Sequence, residues 1–195
     1  MAGITFDPDG DLTLVVGQDP SKADFAVCSR TLSRASLVFK RMFNGAFLES
    51  KPTDGSPWIV SLPEDNPMAA KDLLAIVHSR FDLLLDADVS TPGTRGLYYI
   101  LVFSEKYDLT KFIRPWAQSW VPSVEEFSRS ADYHVLIGIA WELGTRTALE
   151  HVAKRMIVEC GFNPEHGQLT GPDNKLLEYR DLPLMPHGLL GKSLV

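Results

Sequence analysis

The segments Asp11-Leu-Thr-Leu-Val-Val-Gly17, Phe25-Ala-Val27 and Val38-Phe-Lys-Arg-Met-Phe43 follow one another in the part of this chain that decides its fold. In the first segment every second residue is apolar, which is typical of a strand with one face on a core, and its closing glycine predicts a turn. The second segment is short and apolar. It predicts another strand soon after the first.

The third segment has a different period. Apolar residues recur there at spacings of three and four, which predicts an amphipathic helix with the following stripe: Ala35, Val38, Phe39, Met42 and Phe43. We expect Phe43 to lie in the core and Met42 to be its helical neighbour, not part of a cofactor site.

Two further blocks follow in the sequence. Ile59-Val-Ser-Leu-Pro-Glu-Asp65 predicts a strand and an acidic turn, and Ser104-Glu-Lys-Tyr-Asp-Leu109 predicts the end of a helix. Together with the strand that opens at Asp11 and the Phe-x-x-Met-Phe ending at Phe43, these blocks resemble the BTB/POZ domain. The resemblance implies an α+β fold in which helical hairpins flank a small sheet. It also implies a protein–protein interaction module, a scaffold or adaptor without catalysis of its own.

The remainder of the first part is predicted to be largely helical. Asn66-Pro67 marks a helix start, because an Asn side chain can cap free amides and proline is tolerated at the first helical position. Residues 80–96 are acidic and rich in turn formers, which indicates a surface connection. Residues 96–108 are apolar on nearly all sides and predict a buried central helix.

The sequence divides near residue 121, which gives a BTB/POZ-like domain over residues 1–120 and an extension over residues 121–195. Two amphipathic helices are predicted in the extension, one ending at Gly144 and the next closing at Gly161. In the Gly/Pro-rich tail, Gly171-Pro-Asp-Asn174 can turn a hairpin, and an extended or partly disordered end follows. We therefore expect an all-helical extension with a loosely structured tail. This layout is similar to that of BTB-domain proteins of filamentous fungi.

The charge of the chain bears on its partners. A net charge of −6 and a pI of about 5.3 disfavour binding to nucleic acids and to anionic membranes, but they leave protein partners open. The longest uninterrupted apolar run, residues 97–103, is too short to cross a bilayer, and no signal-peptide core precedes it. We expect an intracellular protein, cytoplasmic or nuclear, with no nucleic-acid and no membrane partner. Its two cysteines form no disulfide framework, which agrees with that location.

The sequence shows no pattern of catalytic or metal-binding residues. The five histidines are far apart, and none lies at metal-ligand spacing from another His, Cys or carboxylate. A Gly-x-Ser-x-Gly nucleophile motif and a phosphate-binding loop are both absent from the sequence. We expect no catalytic residue, no metal and no cofactor. An enzyme or a small ligand-binding protein built on the same scaffold is kept as an alternative, because a fold does not fix a function.

The resemblance implies a homodimer, and it makes Asp11 and Arg30 candidates for a charged pocket at the dimer interface. In BTB domains of the transcription-factor type, the Asp that opens this strand pairs with an Arg at the position occupied here by Ser29. A shift of one residue on a helix turns a side chain by about 100°. An N-cap role for Ser29, with Asp11 pairing elsewhere, is therefore an equal alternative.

The resemblance also implies a second function through Phe47 and Glu49. BTB adaptors that dock onto a cullin scaffold carry a hydrophobic-x-Glu motif at this place and widen the contact with a helical extension. Phe47-Leu-Glu49 fits that short motif. The alternative functions are therefore a plain self-associating interaction module and a substrate adaptor of a cullin-based ubiquitin ligase.

Overall fold

The computed structural model of the chain describes residues 3–45, 47–84, 93–116, 120, 133–177 and 184. The protein has a mixed α+β fold that divides into two compact units. The first unit comprises Met1–Ser90 and Phe103–Ile113, and the second comprises Thr91–Val102 and Arg114–Val195.

A four-stranded mixed sheet forms the β-layer of the first unit. Its strands lie in the order β1-β3-β2-β4, with β2 and β3 antiparallel and the two outer pairs parallel. The strands predicted from the sequence are confirmed, and the positive φ of Gly17, +79°, confirms the turn after β2. The strand bounds are Ile4–Thr5 (β1), Leu12–Val16 (β2), Ala23–Val27 (β3) and Ile59–Leu62 (β4).

The helical segment after β3 consists of two helices, α1 over Ser29–Ala35 and α2 over Leu37–Asn44. The break falls at Ser36, whose extended backbone ends α1 and whose Oγ caps α2 by accepting a hydrogen bond from the Phe39 amide at 3.0 Å. Phe39 and Phe43 are buried, as the predicted stripe requires, and Met42 is half-buried.

Two more helices belong to the segment before residue 110. Helix α3 spans Pro67–Val77, and the Asn66 side chain accepts hydrogen bonds from the amides of the first turn, which confirms the predicted cap. A short 3-10 helix follows at Phe81–Leu83. Residues 85–92 of the predicted acidic connection lie outside the described residues. Helix α4 spans Thr94–Lys106 and begins slightly before its predicted start.

In the second unit, α5 spans Tyr133–Glu142 and α6 spans Arg146–Glu159. Gly144 has a φ of +65°, which confirms the left-handed end predicted for the first helix. Ile157, near the end of α6, is 81% exposed.

The expectation of an all-helical extension is wrong. Strands β5 (Gly161–Asn163) and β6 (Gln168–Thr170) form an antiparallel hairpin after α6. Two features make the turn: Gly167 has a positive φ of 59°, and the Asn163 Oδ1 accepts hydrogen bonds from two amides within the turn. The predicted hairpin around Gly171 is confirmed, since the Leu177 amide donates to the Leu169 carbonyl at 2.9 Å.

None of the helices within the described residues combines the length and the hydropathy that a membrane-spanning helix needs.

Candidate partner-binding surface

The outer side of the α1–α2 pair is exposed and strongly basic. Residues of α2 at spacings of three and four lie on one face of the helix, and here they are Leu37, Lys40, Arg41 and Asn44. Arg30 and Arg34 are the exposed cations of α1. We call the set of Arg30, Arg34, Lys40, Arg41 and Lys51, with Leu37 among them, the basic face.

Asp11 supports the start of α1 from the neighbouring strand. Its Oδ1 accepts a hydrogen bond from the Ser29 amide and its Oδ2 accepts one from the Ser29 hydroxyl, both at 2.9 Å. Cys28 occupies the N-cap position and offers no side-chain hydrogen bond. Burial raises the pKa of Asp11, but the hydrogen bonds from Ser29 and the charge of Lys51 outweigh it and hold the pKa below its usual value. Asp11 therefore acts as a charged cap for α1.

The two dimer-pocket candidates line the same cavity. Asp11 and Arg30 both border a cavity of about 650 Å³ between the start of α1 and the side of α2. The carboxylate of Asp11 contacts Ser29 and lies 3.6 Å from the Lys51 ammonium. These contacts agree with the alternative in which Asp11 pairs with residues other than Arg30. The N-cap role expected for Ser29 is wrong, because Ser29 is the first residue of α1 and Cys28 is its N-cap. The dimer pocket itself stays a prediction.

The loop after α2, residues 47–50, presents two apolar side chains to solvent. Phe47 is 60% exposed and Leu48 is fully exposed. Two hydrogen bonds fix the backbone: the Ser50 hydroxyl donates to the Gly45 carbonyl at 2.5 Å, and the buried Trp58 indole donates to the Glu49 carbonyl at 2.8 Å. These hydrogen bonds therefore hold the loop in a conformation that exposes Phe47 and Leu48. The Glu49 residue is half-buried.

A second cavity adjoins the 47–50 loop. It has a volume of about 470 Å³, and Phe47 and Gly45 line one end of it. Leu37, Lys40 and Asn44 line both cavities, so the two are continuous along α2. The five cations of the basic face all lie on the walls of this double cavity.

A buried polar cluster holds the α1–α2 pair in place, and the sequence did not predict it. The Lys106 ammonium donates to both carboxylate oxygens of Asp65 at 2.9 Å, and the Tyr107 hydroxyl donates to Asp65 Oδ2 at 2.7 Å. The Tyr107 carbonyl in turn accepts from the Ser36 hydroxyl at 2.5 Å. All three residues lie in blocks singled out in the sequence, Asp65 in one and Lys106-Tyr107 in another. No local pattern indicates that the two blocks are in contact.

Cysteine and metal chemistry receive no geometric support from the described residues. No group of three His, Cys, Asp or Glu side chains lies close enough to hold a metal ion within that part of the chain. Burial and the nearby Glu159 raise the pKa of the Cys160 thiol, which makes it a poor nucleophile.

The second unit carries a separate cluster at the ends of its helices. The Tyr133 hydroxyl donates to the Glu159 carboxylate, and Arg155 lies over the Tyr133 ring with 4.7 Å between the guanidinium carbon and the ring centre. Several apolar side chains of this unit are exposed, namely Trp141, Ile157, Val158 and Phe162. These exposed side chains were not predicted from the sequence.

Comparison with known proteins leaves the family open: no protein-family model matches the sequence, and no curated protein matches it either.

Proposed function

We propose that this chain is a protein–protein interaction module of the BTB/POZ type, without catalysis of its own. The 47–50 loop is the observation that carries this proposal. Phe47 and Leu48 are 60% and 102% exposed on a backbone that hydrogen bonds hold in place. Neighbouring apolar side chains that a fold keeps in water are typical anchors for a partner.

The order of elements supports the BTB/POZ type. After β1, the first unit has the β2–β3 hairpin, the α1–α2 pair, strand β4 and an acidic turn, and the last four follow the order that the resemblance implies. The contacts of Asp65 with Lys106 and Tyr107 join two of the blocks on which the resemblance depends. The alternative of an enzyme or small ligand-binding protein gains no specific support from the described residues.

Self-association is the first form of this function, and light scattering across micromolar concentrations tests it. We expect a concentration-dependent homodimer. Leu48→Ser should weaken the dimer, because it removes the most exposed anchor. Ile157→Ser is the matched control, since Ile157 is 81% exposed in the second unit. A monomer at every concentration would contradict self-association. Equal effects of the two variants would show that the dimer contact is not at the 47–50 loop.

Docking onto a cullin scaffold is the second candidate, and the exposure of Phe47 beside the fixed carbonyl of Glu49 favours it. The ring would enter an apolar groove while the Glu49 carboxylate accepts hydrogen bonds at the rim. Phe47→Ala should cost at least about 2 kcal/mol of binding free energy, roughly thirtyfold in affinity, and Glu49→Ala should cost less.

Calorimetry with the N-terminal part of a host cullin measures both effects. No heat at tens of micromolar, or binding that is indifferent to Phe47→Ala, would leave the plain interaction module as the function.

A further inference from the structure

We propose that the basic face binds an acidic peptide segment of a partner protein, with one apolar residue of that segment seated against Leu37. The inference rests on the proposed function and names the chemistry of the ligand at that same side of the first unit.

The shape of the surface suits an extended segment. The two cavities, of about 650 and 470 Å³, share Leu37, Lys40 and Asn44 and therefore form one groove along the pair of helices. The groove runs from Arg30 near the start of α1 to Phe47 beyond the end of α2. A single small anion would contact only a fraction of this length.

The positive charge of the groove indicates that the ligand is negatively charged. Five cationic side chains line it, in a chain whose net charge is −6. Among the described residues, the side chains of Arg30, Arg34, Lys40 and Arg41 make no ion pair or hydrogen bond with the protein. The carboxylate in the lining belongs to Asp11, and it is engaged by Ser29 and by Lys51, the fifth cation. The four cations without a counter-charge create a positive potential that attracts an anionic partner.

The exposed side chain of Leu37 indicates that the ligand carries an apolar residue. Leu37 is 59% exposed at the first position of α2 and lies between the cations of the two helices. A ligand that offers charge alone would leave this side chain in water, whereas a peptide with an apolar residue would cover it. A second copy that presented the same face would bring like charges together, which opposes a symmetric pairing through this surface.

Fluorescence polarisation with the full chain tests the proposal. The probe is a labelled dodecapeptide of Asp and Glu with one central Leu. The controls are the same peptide with Ser in place of that Leu, a Lys/Arg peptide with the same central Leu, and a single-stranded oligonucleotide of matched charge. We expect the Leu peptide to bind best, the Ser peptide to bind more weakly, and the basic peptide not to bind. The affinity should fall as salt is added, because exposed charges are screened.

Variants locate the site. Arg34→Glu and Lys40→Glu should each weaken binding of the Leu peptide at least about tenfold, because a repelling charge replaces an attracting one. Lys154→Glu, an exposed change of the same size in the second unit, should leave binding unchanged. Leu37→Ser should bring the affinity of the Leu peptide down to that of the Ser peptide and leave the Ser peptide unaffected. Thermal melting of each variant verifies that it is folded.

Four results would overturn the inference: no binding at millimolar peptide, equal weakening by Lys154→Glu, tighter binding of the oligonucleotide with the same variant response, or a homodimer that Arg34→Glu dissociates.

The proposed function and the inference about the basic face can fail separately. If Phe47→Ala or Leu48→Ser abolishes cullin binding or dimer formation while no acidic peptide binds, only the inference about the basic face falls. If the peptide binds and neither the dimer nor the cullin complex forms, only the role of the loop falls.

Discussion

Tyr107 joins three parts of the first unit. Its hydroxyl donates to Asp65 in the acidic turn, its carbonyl accepts from Ser36 between the two short helices, and its ring stacks on Phe39 with 4.5 Å between centres. Burial raises the pKa of Tyr107, and the carboxylate of Asp65 raises it further. The phenol therefore stays protonated and keeps donating to Asp65.

Tyr107→Phe tests this cluster with little change in volume. A hydrogen bond to a charged group typically contributes about 1.5 to 3 kcal/mol, so the free energy of unfolding should fall by about that amount in denaturant titrations. Tyr99→Phe is the matched control, because Tyr99 is 45% exposed on α4, the helix that ends just before Tyr107. Equal losses in the two variants would show that the hydroxyl of Tyr107 contributes nothing specific.

His78 is held in its neutral form by hydrogen bonds on both ring nitrogens. Nδ1 lies 2.9 Å from the Leu74 carbonyl and donates to it, so Nε2 must accept from the Cys28 amide at 3.2 Å. Burial lowers the pKa of His78 and outweighs its hydrogen bond to Leu74 and the nearby charge of Asp7, both of which raise the pKa. Protonation of Nε2 would replace this acceptor with an N–H donor facing the Cys28 N–H, and the hydrogen bond would be lost.

Stability should therefore depend on pH through this residue. The unfolded chain binds a proton near the ordinary pKa of 6.5, whereas folded His78 binds it only at lower pH. The free energy of unfolding should fall as pH drops through 6.5, by at most about 1.4 kcal/mol per pH unit from this one group. Denaturant titrations from pH 7.5 to 5 on wild type and His78→Gln isolate the effect, because Asp72, whose pKa burial raises, titrates in both proteins. Parallel curves would contradict the prediction.

At the scale of elements, a line of aromatic rings holds the α1–α2 pair to the rest of the first unit. Phe43 stacks on Phe39 at 5.4 Å and meets the Trp58 ring edge-on at 5.4 Å, while Phe39 stacks on Tyr107. Aromatic contacts of this kind contribute beyond the area they bury. The basic face is the outer side of the same helices, so its geometry depends on these buried rings.

Phe43→Ala should lower the free energy of unfolding by about 3 to 5 kcal/mol, the usual cost of removing a buried Phe side chain. Phe43 is 3% exposed, and Phe47, at 60% exposure, provides the same substitution on the surface of the same hairpin. Phe47→Ala should change stability by about 1 kcal/mol or less. Thermal and denaturant unfolding measure both variants. A larger loss of stability from Phe47→Ala than from Phe43→Ala would contradict the assignment of Phe43 to the core and Phe47 to the surface.

At the scale of the whole molecule, the two compact units are interleaved along the chain. Residues 91–102 belong to the second unit although they precede the last segment of the first. Within the second unit, a methyl group added to Gly138 would lie 3.5 Å from the Tyr98 ring, so α5 packs closely on the first part of α4. Leu97 and Tyr98 are buried.

A fragment of residues 1–120 should therefore be less stable than the full chain. It would lose α5 and leave the buried faces of Leu97 and Tyr98 in water, where exposed apolar surface favours aggregation. Light scattering and thermal melting of the fragment against the full chain measure this. A monomeric fragment that melts at the temperature of the full chain would show that the first part of α4 does not need α5 to cover it.

The sequence alone determined most of the elements of the fold. Alternation predicted β2 and β4, spacings of three and four predicted the buried stripe that contains Phe39 and Phe43, and Asn66-Pro67 fixed the start of α3. These signals are local, because a residue's neighbours within one turn or one pleat already decide which face is apolar. The resemblance also made Phe47 and Glu49 a candidate partner contact, and that role stays a prediction, although Phe47 is exposed.

The tertiary structure decided everything that depends on residues distant in sequence. The carboxylate of Asp65 contacts Lys106 and Tyr107, and Asp11 caps a helix that begins beyond the next strand. The basic face arises because the break at Ser36 turns α2 so that cations from two helices line one groove. Periodicity cannot show such juxtapositions, since they follow from how the chain folds back on itself.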